Sequence, residues 1–285
     1  MRQAIGIDIG GTKIRSAVVS EDGAILRVHE IATPATAVEV VHAIHAAIHR
    51  LRDSDTRSVG IGVPGRVDTV TGHVFSGGFV DLSEGSLRDD VARRAGLPVG
   101  IANDASLALL AEVRVGAAKG LRDVVLLTIG TGIGGAVMAK GELLHGRATA
   151  GQLGHVSVDF EGLPCLCGRR GCVETTSSGT ALRRLLADAG LSTMNVQELL
   201  ETKTATTTAV VKAWIQPLRS AIDSLVATLD PDRVVLGGGL GTAAARALAD
   251  FPAMSPWYQC DVVAAQLGND AGVIGAALFS METAS

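Results

Sequence analysis

The chain has 285 residues, a formal net charge of −4 and 47% hydrophobic residues, enough for one large or two ordinary domains with a real core. Its mean hydropathy of +0.34 invites a membrane reading, but the longest uncharged run, Val124 to Ala139, is too short to span a bilayer and is broken by glycines. The absence of a basic block and a content of only 3% aromatic residues argue against nucleic-acid binding and a base-stacking surface.

The first residues, MRQAIGIDIGG, lack the apolar core and cleavage pattern of a signal peptide. The expected setting is a soluble protein of the cytoplasm without a membrane partner, where clustered cysteines bind metal more often than they form disulfides. Ala4 to Arg27 reads as strand, Gly-rich turn, strand, tight turn at Asp22-Gly23, strand. An amphipathic helix follows in VEVVHAIHAAIHRLR, with Val41, Ile44, Ile48 and Leu51 at helical spacing. His42, His45 and His49 line an adjacent face. With no carboxylate or cysteine joining them at ligand spacing, they read as a solvated face rather than a metal site.

SVGIGVPGRVD is then a buried strand and turn, and LPVGIAND a strand feeding a helix at ASLALLAEV. Val124 to Gly146 repeats the opening order of strands and turns, with Lys140-Gly141 at the second turn. A repeat spaced by about half the chain suggests two related domains rather than a solenoid. Further on come the cysteine segment, helices near 178–189 and 209–229, a strand and Gly-rich turn in RVVLGGGLG, and a Gly-initiated helix in GNDAGVIGAALFS. ETKTATTTAV reads as a loop or helix start. Mixed strands and helices, with hairpins heading each half, indicate α/β architecture with a cleft between domains.

Three Gly-rich turns could receive an anion on backbone N–H groups: Asp8 to Lys13 (DIGGTK), Thr128 to Gly135 (TIGTGIGG) and Leu236 to Gly241 (LGGGLG). None matches the Walker pattern, and no Rossmann fingerprint opens a helix. Asn103-Asp104 falls where a strand ends and a helix begins, a place for a helix cap or a functional group. Cys165, Cys167 and Cys172 contain no redox CxxC, and the first two are poorly placed for an unstrained disulfide, which leaves thiolate coordination. For a fourth ligand, Cys260 reads as a buried free cysteine at the start of a strand. His155 in GQLGHVSVD is the better candidate, because a strand-and-turn hairpin would return it to the cluster.

Together DIGGTK, ANDA and GHVSVD…CLCGRRGCVE resemble the ROK family of bacterial sugar kinases and sugar-responsive repressors, within the actin/hexokinase-like superfamily. The resemblance runs in order along nearly the whole chain. It implies two ribonuclease H-like domains around a central cleft that closes over ATP and a hexose. The first would be residues 1–112 joined by the C-terminal helix 270–285; the second, 113–269, would carry the zinc motif and the surface of a homodimer. It further implies a first phosphate loop at Asp8, Gly10, Gly11 and Thr12 with Lys13 beside it, Thr131 and Gly132 in a second loop, and Gly238 on the adenosine side. Phosphoryl transfer needs the γ-phosphate held, its charge spread by Mg²⁺, and the attacking hydroxyl relieved of its proton. Asp104 is the expected base, with Asn103 fixing the sugar and Asp8 near the metal. The family's zinc set corresponds to His155, Cys165, Cys167 and Cys172, a closed and hence structural site. The second nitrogen of His155, and Glu174, would then reach sugar hydroxyls. The implied activity is ATP-dependent phosphorylation of the 6-hydroxyl of a hexose or N-acetylhexosamine, of glucokinase or N-acetylmannosamine kinase type.

Two departures touch the choice of sugar and not the nucleotide. Gln152 stands where the family's sugar kinases commonly read Glu in ExGH, turning a charged acceptor into a mixed donor and acceptor. The family's N-acetylmannosamine kinases also depart from Glu here, so an acetamido sugar comes into view. Phe75 to Gly85 replaces the Asn-Leu segment and following Trp of the glucokinases. Among rivals, the repressors carry a winged helix-turn-helix before the first phosphate loop, which here begins at Asp8. A nucleotide-dependent switch or scaffold would not call for Asn103-Asp104 and a metal-held His155 beside Glu174. A catalytically weak sugar sensor is the alternative that Gln152 keeps open.

Overall fold

The computed structural model describes residues 2–76 and 80–283, so part of the Phe75–Gly85 segment lies outside the described residues. The opening hairpins form β1 (Gln3–Ile9), β2 (Lys13–Ser20) and β3 (Ile25–Ala32). Next come α1 (Ala37–Leu51), β4 (Thr56–Val63), the short pair β5 (Arg66–Val67) and β6 (Val74–Ser76), α2 (Leu87–Ala95), β7 (Val99–Asn103) and α3 (Asp104–Val115). The repeat supplies β8 (Val124–Ile129), β9 (Ile133–Ala139) and β10 (Glu142–Leu143). Past the cysteine segment lie α4 (Glu174–Ser177), α5 (Gly179–Asp188), α6 (Val196–Glu201), α7 (Ala205–Leu229), β11 (Arg233–Gly237), α8 (Gly241–Leu248), β12 (Asp261–Ala264) and α9 (Ala271–Thr283).

The two large sheets run β3-β2-β1-β4-β7 and β10-β9-β8-β11-β12. In each, the central strand pairs antiparallel with its hairpin partner and parallel with the strand that returns later, β4 or β11. The α/β class and the two ribonuclease H-like domains implied by the resemblance are therefore present. Contacts divide the chain into Met1–Lys119 with His145–Ala150 and Asn269–Ser285, and Gly120–Leu144 with Gly151–Gly268. A cut at 112/113 would sever α3, which continues to Val115.

In the first unit, β1 carries Ile5, Ile7 and Ile9 on one face and Ala4 and Gly6, followed by Asp8, on the other, and both faces are covered. Ile5, Ile7 and Ile9 belong to a core with Val40, Ile44 and Ile48 of α1 and Leu87 and Val91 of α2. On the opposite face, Ala4 packs with Val273 and Ala277 of α9. Here the sheet is made unusually smooth: Gly6, Gly60 and Gly100 stand in register on β1, β4 and β7. A Cβ at Gly6 would lie 1.9 Å from the Val273 carbonyl oxygen, and one at Gly60 only 1.7 Å from that of Ala276. Helix α9 thus rests its backbone directly on the strands, and the buried Ser58 and Ser280 hydroxyls close the contact at 2.8 Å.

Helix α1 starts at a capping box formed by Thr36 and Glu39. Helix α2, which the apolar pattern does not announce, starts at Ser86 and stops at Gly96, whose φ of 61° suits a glycine C-cap. It corrects one expectation. His42 and His49 are exposed as a solvated face requires, but His45 Nε2 lies 3.0 Å from Asp90 Oδ2 on α2, and Asp90 also takes Arg93 and Arg94. In the second unit, Trp214 of α7 is fully buried among Leu127, Ile129 and Leu236, and its indole N–H donates to the Ser177 carbonyl at 2.7 Å. Thr204 caps α7, so ETKTATTTAV is a helix start. No helix among the described residues is long and apolar enough to cross a membrane.

Candidate active site and metal cluster

Strand β7 ends in Asn103 with extended backbone, and α3 begins at Asp104. The Asn103 side-chain oxygen accepts the Ser106 amide at 3.1 Å, so the residue does cap the helix. Its amide nitrogen donates to the Gly65 carbonyl at 2.9 Å and to Asp104 Oδ1 at 2.8 Å. The same Oδ1 accepts the Ala105 N–H at 2.8 Å. One carboxylate oxygen of Asp104 is thereby fixed by two donors, while Oδ2 has no hydrogen bond among the described residues. Burial raises the Asp104 pKa to about 6 against the pull of those two donors. Asn103 orients Asp104 and also closes the strand-to-helix corner.

Asp8 sits at the end of β1. Burial, then the charge of Asp104, push its pKa up to about 7, and Arg15 and Lys13 only partly offset this. Room for the carboxylate is made by Gly272, where a Cβ would stand 2.4 Å from Asp8 Oδ2. Two carboxylates kept close together with raised pKa values form a natural place for a cation or an acid–base pair.

Beside Asp8, the turn at Gly10–Thr12 is tied back by a residue that sequence reasoning missed. Thr33 donates its hydroxyl to the Gly10 carbonyl at 2.6 Å and its N–H to the Thr12 carbonyl at 3.0 Å. Gly11 and Thr12 remain exposed. Lys13 does not stand free beside this turn: its Nζ is 3.0 Å from Glu30 on β3. Arg15 contacts Glu30 and Asp270.

In the second unit, Gly130 closes a tight turn by donating to the Gly132 carbonyl at 2.9 Å. This turn contains Thr131 and Gly132. Gly238, with φ of 77°, packs against it so closely that a Cβ would come within 2.5 Å of the Ile129 carbonyl oxygen. From the other side, Glu174 Oε2 accepts the Ile133 N–H at 2.9 Å. Thr131, Gly132, Gly238 and Glu174 are thus gathered at the end of β8.

The cysteine segment folds back as anticipated, through bridges at Ser157–Cys172 and Pro164–Arg170. His155 closes a 3₁₀ turn that follows Gln152, whose side chain does not cap that turn. The ligand atoms of His155, Cys165, Cys167 and Cys172 lie within 4.8 Å of one another. Cys165 Sγ is 3.5 Å from His155 Nδ1, and Cys167 and Cys172 Sγ are 3.6 Å apart. A tetrahedral zinc with ordinary bond lengths separates its ligand atoms by about 3.5–3.8 Å, so this set fits such an ion. With Nδ1 facing the cluster, Nε2 is the nitrogen left over. Cys260 stands apart, donating its thiol to the Pro231 carbonyl at 3.3 Å.

A sequence profile for the ROK family matches residues 4–282. The chain belongs to the ROK family. Among its relatives, a glucokinase of Streptomyces coelicolor is 34% identical, over 99% of this chain and 98% of that one. An N-acetylmannosamine kinase of Haemophilus influenzae is 31% identical, over 97% and 95%. The crystal structure of a ROK family glucokinase from Streptomyces griseus, in complex with glucose and AMPPNP, superposes with a TM-score of 0.82 at 33% identity, covering 98% of this chain and 99% of that one.

Proposed function

We propose that the chain is an ATP-dependent sugar kinase that phosphorylates the 6-hydroxyl of a hexose or N-acetylhexosamine. The observation that carries this is Asp104: a carboxylate at a helix start, one oxygen held by Asn103 and Ala105 and the other open, in a chain that matches a glucokinase and an N-acetylmannosamine kinase over 98% and 95% of their lengths. Asp104 Oδ2 takes the proton of the attacking hydroxyl, and Asn103 keeps that oxygen pointed outward. Gly10, Gly11 and Thr12 offer N–H groups and a hydroxyl to phosphate, as do Thr131 and Gly132, and Gly238 lies toward adenosine. Lys13 joins them by exchanging Glu30 for a phosphate oxygen. Mg²⁺ bound with the nucleotide would supply charge neutralisation at the transferred phosphoryl group, and Asp8 is the residue that would hold it.

A structural zinc would be held by His155 Nδ1 and the thiolates of Cys165, Cys167 and Cys172. That leaves His155 Nε2, Gln152 and the second oxygen of Glu174 for sugar hydroxyls. Identities of 34% and 31% to kinases of different sugars do not choose between glucose and N-acetylmannosamine, and Gln152 is the residue on which the choice turns. The enzyme is read as cytoplasmic and as a homodimer through its second unit, which light scattering tests. A coupled ADP-release assay with glucose, mannose, N-acetylglucosamine, N-acetylmannosamine and fructose tests the activity, with polyphosphate run beside ATP. Stimulation by at least one sugar, lost in Asp104→Asn, is expected. No stimulation by any would mean a sugar sensor instead.

A further inference from the structure

Glu174 ends the cysteine segment and begins α4, yet its carboxylate is turned toward the Gly130–Gly132 turn. Oε2 accepts the N–H of Ile133, the first residue of β9, at 2.9 Å. The same oxygen occupies the space above Gly132, where a Cβ would lie 2.4 Å from it. The helical segment after Glu174 holds the remaining groups of the turn. Gly179 donates its N–H to the Gly130 carbonyl at 2.8 Å, and the Thr180 hydroxyl donates to the Thr131 carbonyl at 2.8 Å. Helix α4 is itself pinned, since the buried Trp214 binds the Ser177 carbonyl at 2.7 Å.

A carboxylate beside an anion-receiving turn is electrostatically expensive, because it repels the phosphate that the turn is shaped to hold. Its position needs a compensating use. By engaging the Ile133 N–H it fixes the exit of the turn, and the amides of Thr131 and Gly132 have no acceptor among the described residues. Its other oxygen, Oε1, has no hydrogen bond among the described residues. A hydroxyl donating to Oε1 would draw negative charge away from the turn.

We infer that Glu174 is a positioning residue for the second phosphate loop: one oxygen holds Thr131-Gly132 in its anion-receiving form, while the other answers to the sugar, so that sugar occupancy is felt at the nucleotide. The inference rests on the kinase reading above. Binding free energies are linked in both directions, so sugar tightens nucleotide by the factor with which nucleotide tightens sugar.

The test is made on zinc-loaded, sugar-free protein, with amide exchange at Ile133 and calorimetric titration with MgADP. Glu174→Ala is expected to speed Ile133 exchange by about tenfold or more, through loss of the acceptor, and to weaken MgADP by about fivefold or more. Glu174→Gln keeps an acceptor oxygen and drops the charge that repels phosphate, so Ile133 exchange should stay within about threefold of wild type and MgADP should bind at least as tightly as in wild type. A role confined to sugar contact predicts no change in either measurement for Glu174→Ala, and that result overturns the proposal, as does Glu174→Gln behaving like Glu174→Ala. If Glu174→Ala does not fold, Gly132→Ala replaces it, since its Cβ displaces the same oxygen and should loosen Ile133 likewise; unchanged exchange there also sinks the idea. Wild-type protein that fails to bind MgADP would retire the kinase reading, while Ile133 exchange would still decide whether Glu174 holds the loop.

Discussion

Asp104 and Asp8 carry the same functional group and are put to different uses by their surroundings. Asp104 has one oxygen tied to Asn103 and Ala105, so it is already oriented before a substrate arrives, which is what a base needs. Asp104→Asn should lower kcat by about 10²–10⁴-fold while the sugar Kd, measured by calorimetry, stays within about threefold. With its pKa near 6, Asp104 loses ionisation below that value, and if it is the base as proposed, kcat/KM in wild type should fall about tenfold per pH unit on the acid side. Asp8 acts on stability. Its pKa rises from 3.8 to about 7, so the folded state holds a proton that the unfolded state has released between those values. Its contribution is complete below pH 3.8 and is lost as pH climbs through about 7. Ligand-free protein should therefore melt at a higher temperature at pH 5.5 than at pH 8 insofar as Asp8 governs it. Asp8→Asn should flatten that slope and remove activity; a melting profile with an unchanged slope would assign the pH dependence elsewhere.

The elements show how far local pattern reaches. The twin hairpins, the strand running into Asn103-Asp104 and the folded-back cysteine segment were legible, because each is announced within a few residues by glycine, alternation or ligand spacing. Helix α2 was not, since only Leu87, Val91 and Ala95 are buried among its charges. Likewise hidden were Thr33 behind the first turn, Glu30 on Lys13 and Asp90 on His45, because each partner comes from another element. The clearest case is Gly60. In the sequence it reads as one more glycine of a buried strand; in the fold it is the middle of three that admit the backbone of α9. Its replacement by Ala puts a methyl 1.7 Å from the Ala276 carbonyl oxygen, which only a shift of the whole helix relieves. Gly60→Ala should cost about 2–3 kcal/mol or more, read as a lowered urea midpoint; a loss under about 0.5 kcal/mol would mean that α9 moves freely on the sheet. The hairpin of His155 and the three cysteines, proposed above to hold zinc, should support its surroundings in a comparable way. Cys165→Ser, or chelation, should lower the melting temperature and weaken sugar binding together, because His155 and the segment leading to Glu174 lose their anchor. Wild-type sugar affinity in protein verified as zinc-free would contradict this.

At the scale of the whole molecule, the chain builds most of one unit, then the other, and returns with α9 to finish the first. The first sheet is therefore left without cover on the Ala4, Gly6 and Asp8 face until the last residues of the chain are in place. Ten consecutive residues of α9, Ala271 to Ser280, are buried, more than an amphipathic stripe supplies, because α3 covers the helix from its other side: a Cβ at Gly275 would lie 1.8 Å from the Leu107 carbonyl oxygen. The second unit has its own core around Trp214, which no residue of α9 joins. Both tryptophans of the chain, Trp214 and Trp257, belong to that second unit. Fluorescence thus reports on the second unit alone, while the chemistry proposed above draws on Asp8 and Asp104 of the first. Ending the chain after Gly268 should abolish activity and the far-UV signal of the first unit, yet leave the blue-shifted emission of buried Trp214 and one equivalent of bound zinc. Solvent-exposed emission from Trp214 in that truncation, measured by its wavelength maximum and by acrylamide quenching, would show that the second unit depends on the first to fold. The same tool sharpens the effect of Gly60→Ala: a defect confined to the seat of α9 should shift the circular-dichroism midpoint and leave the tryptophan midpoint in place.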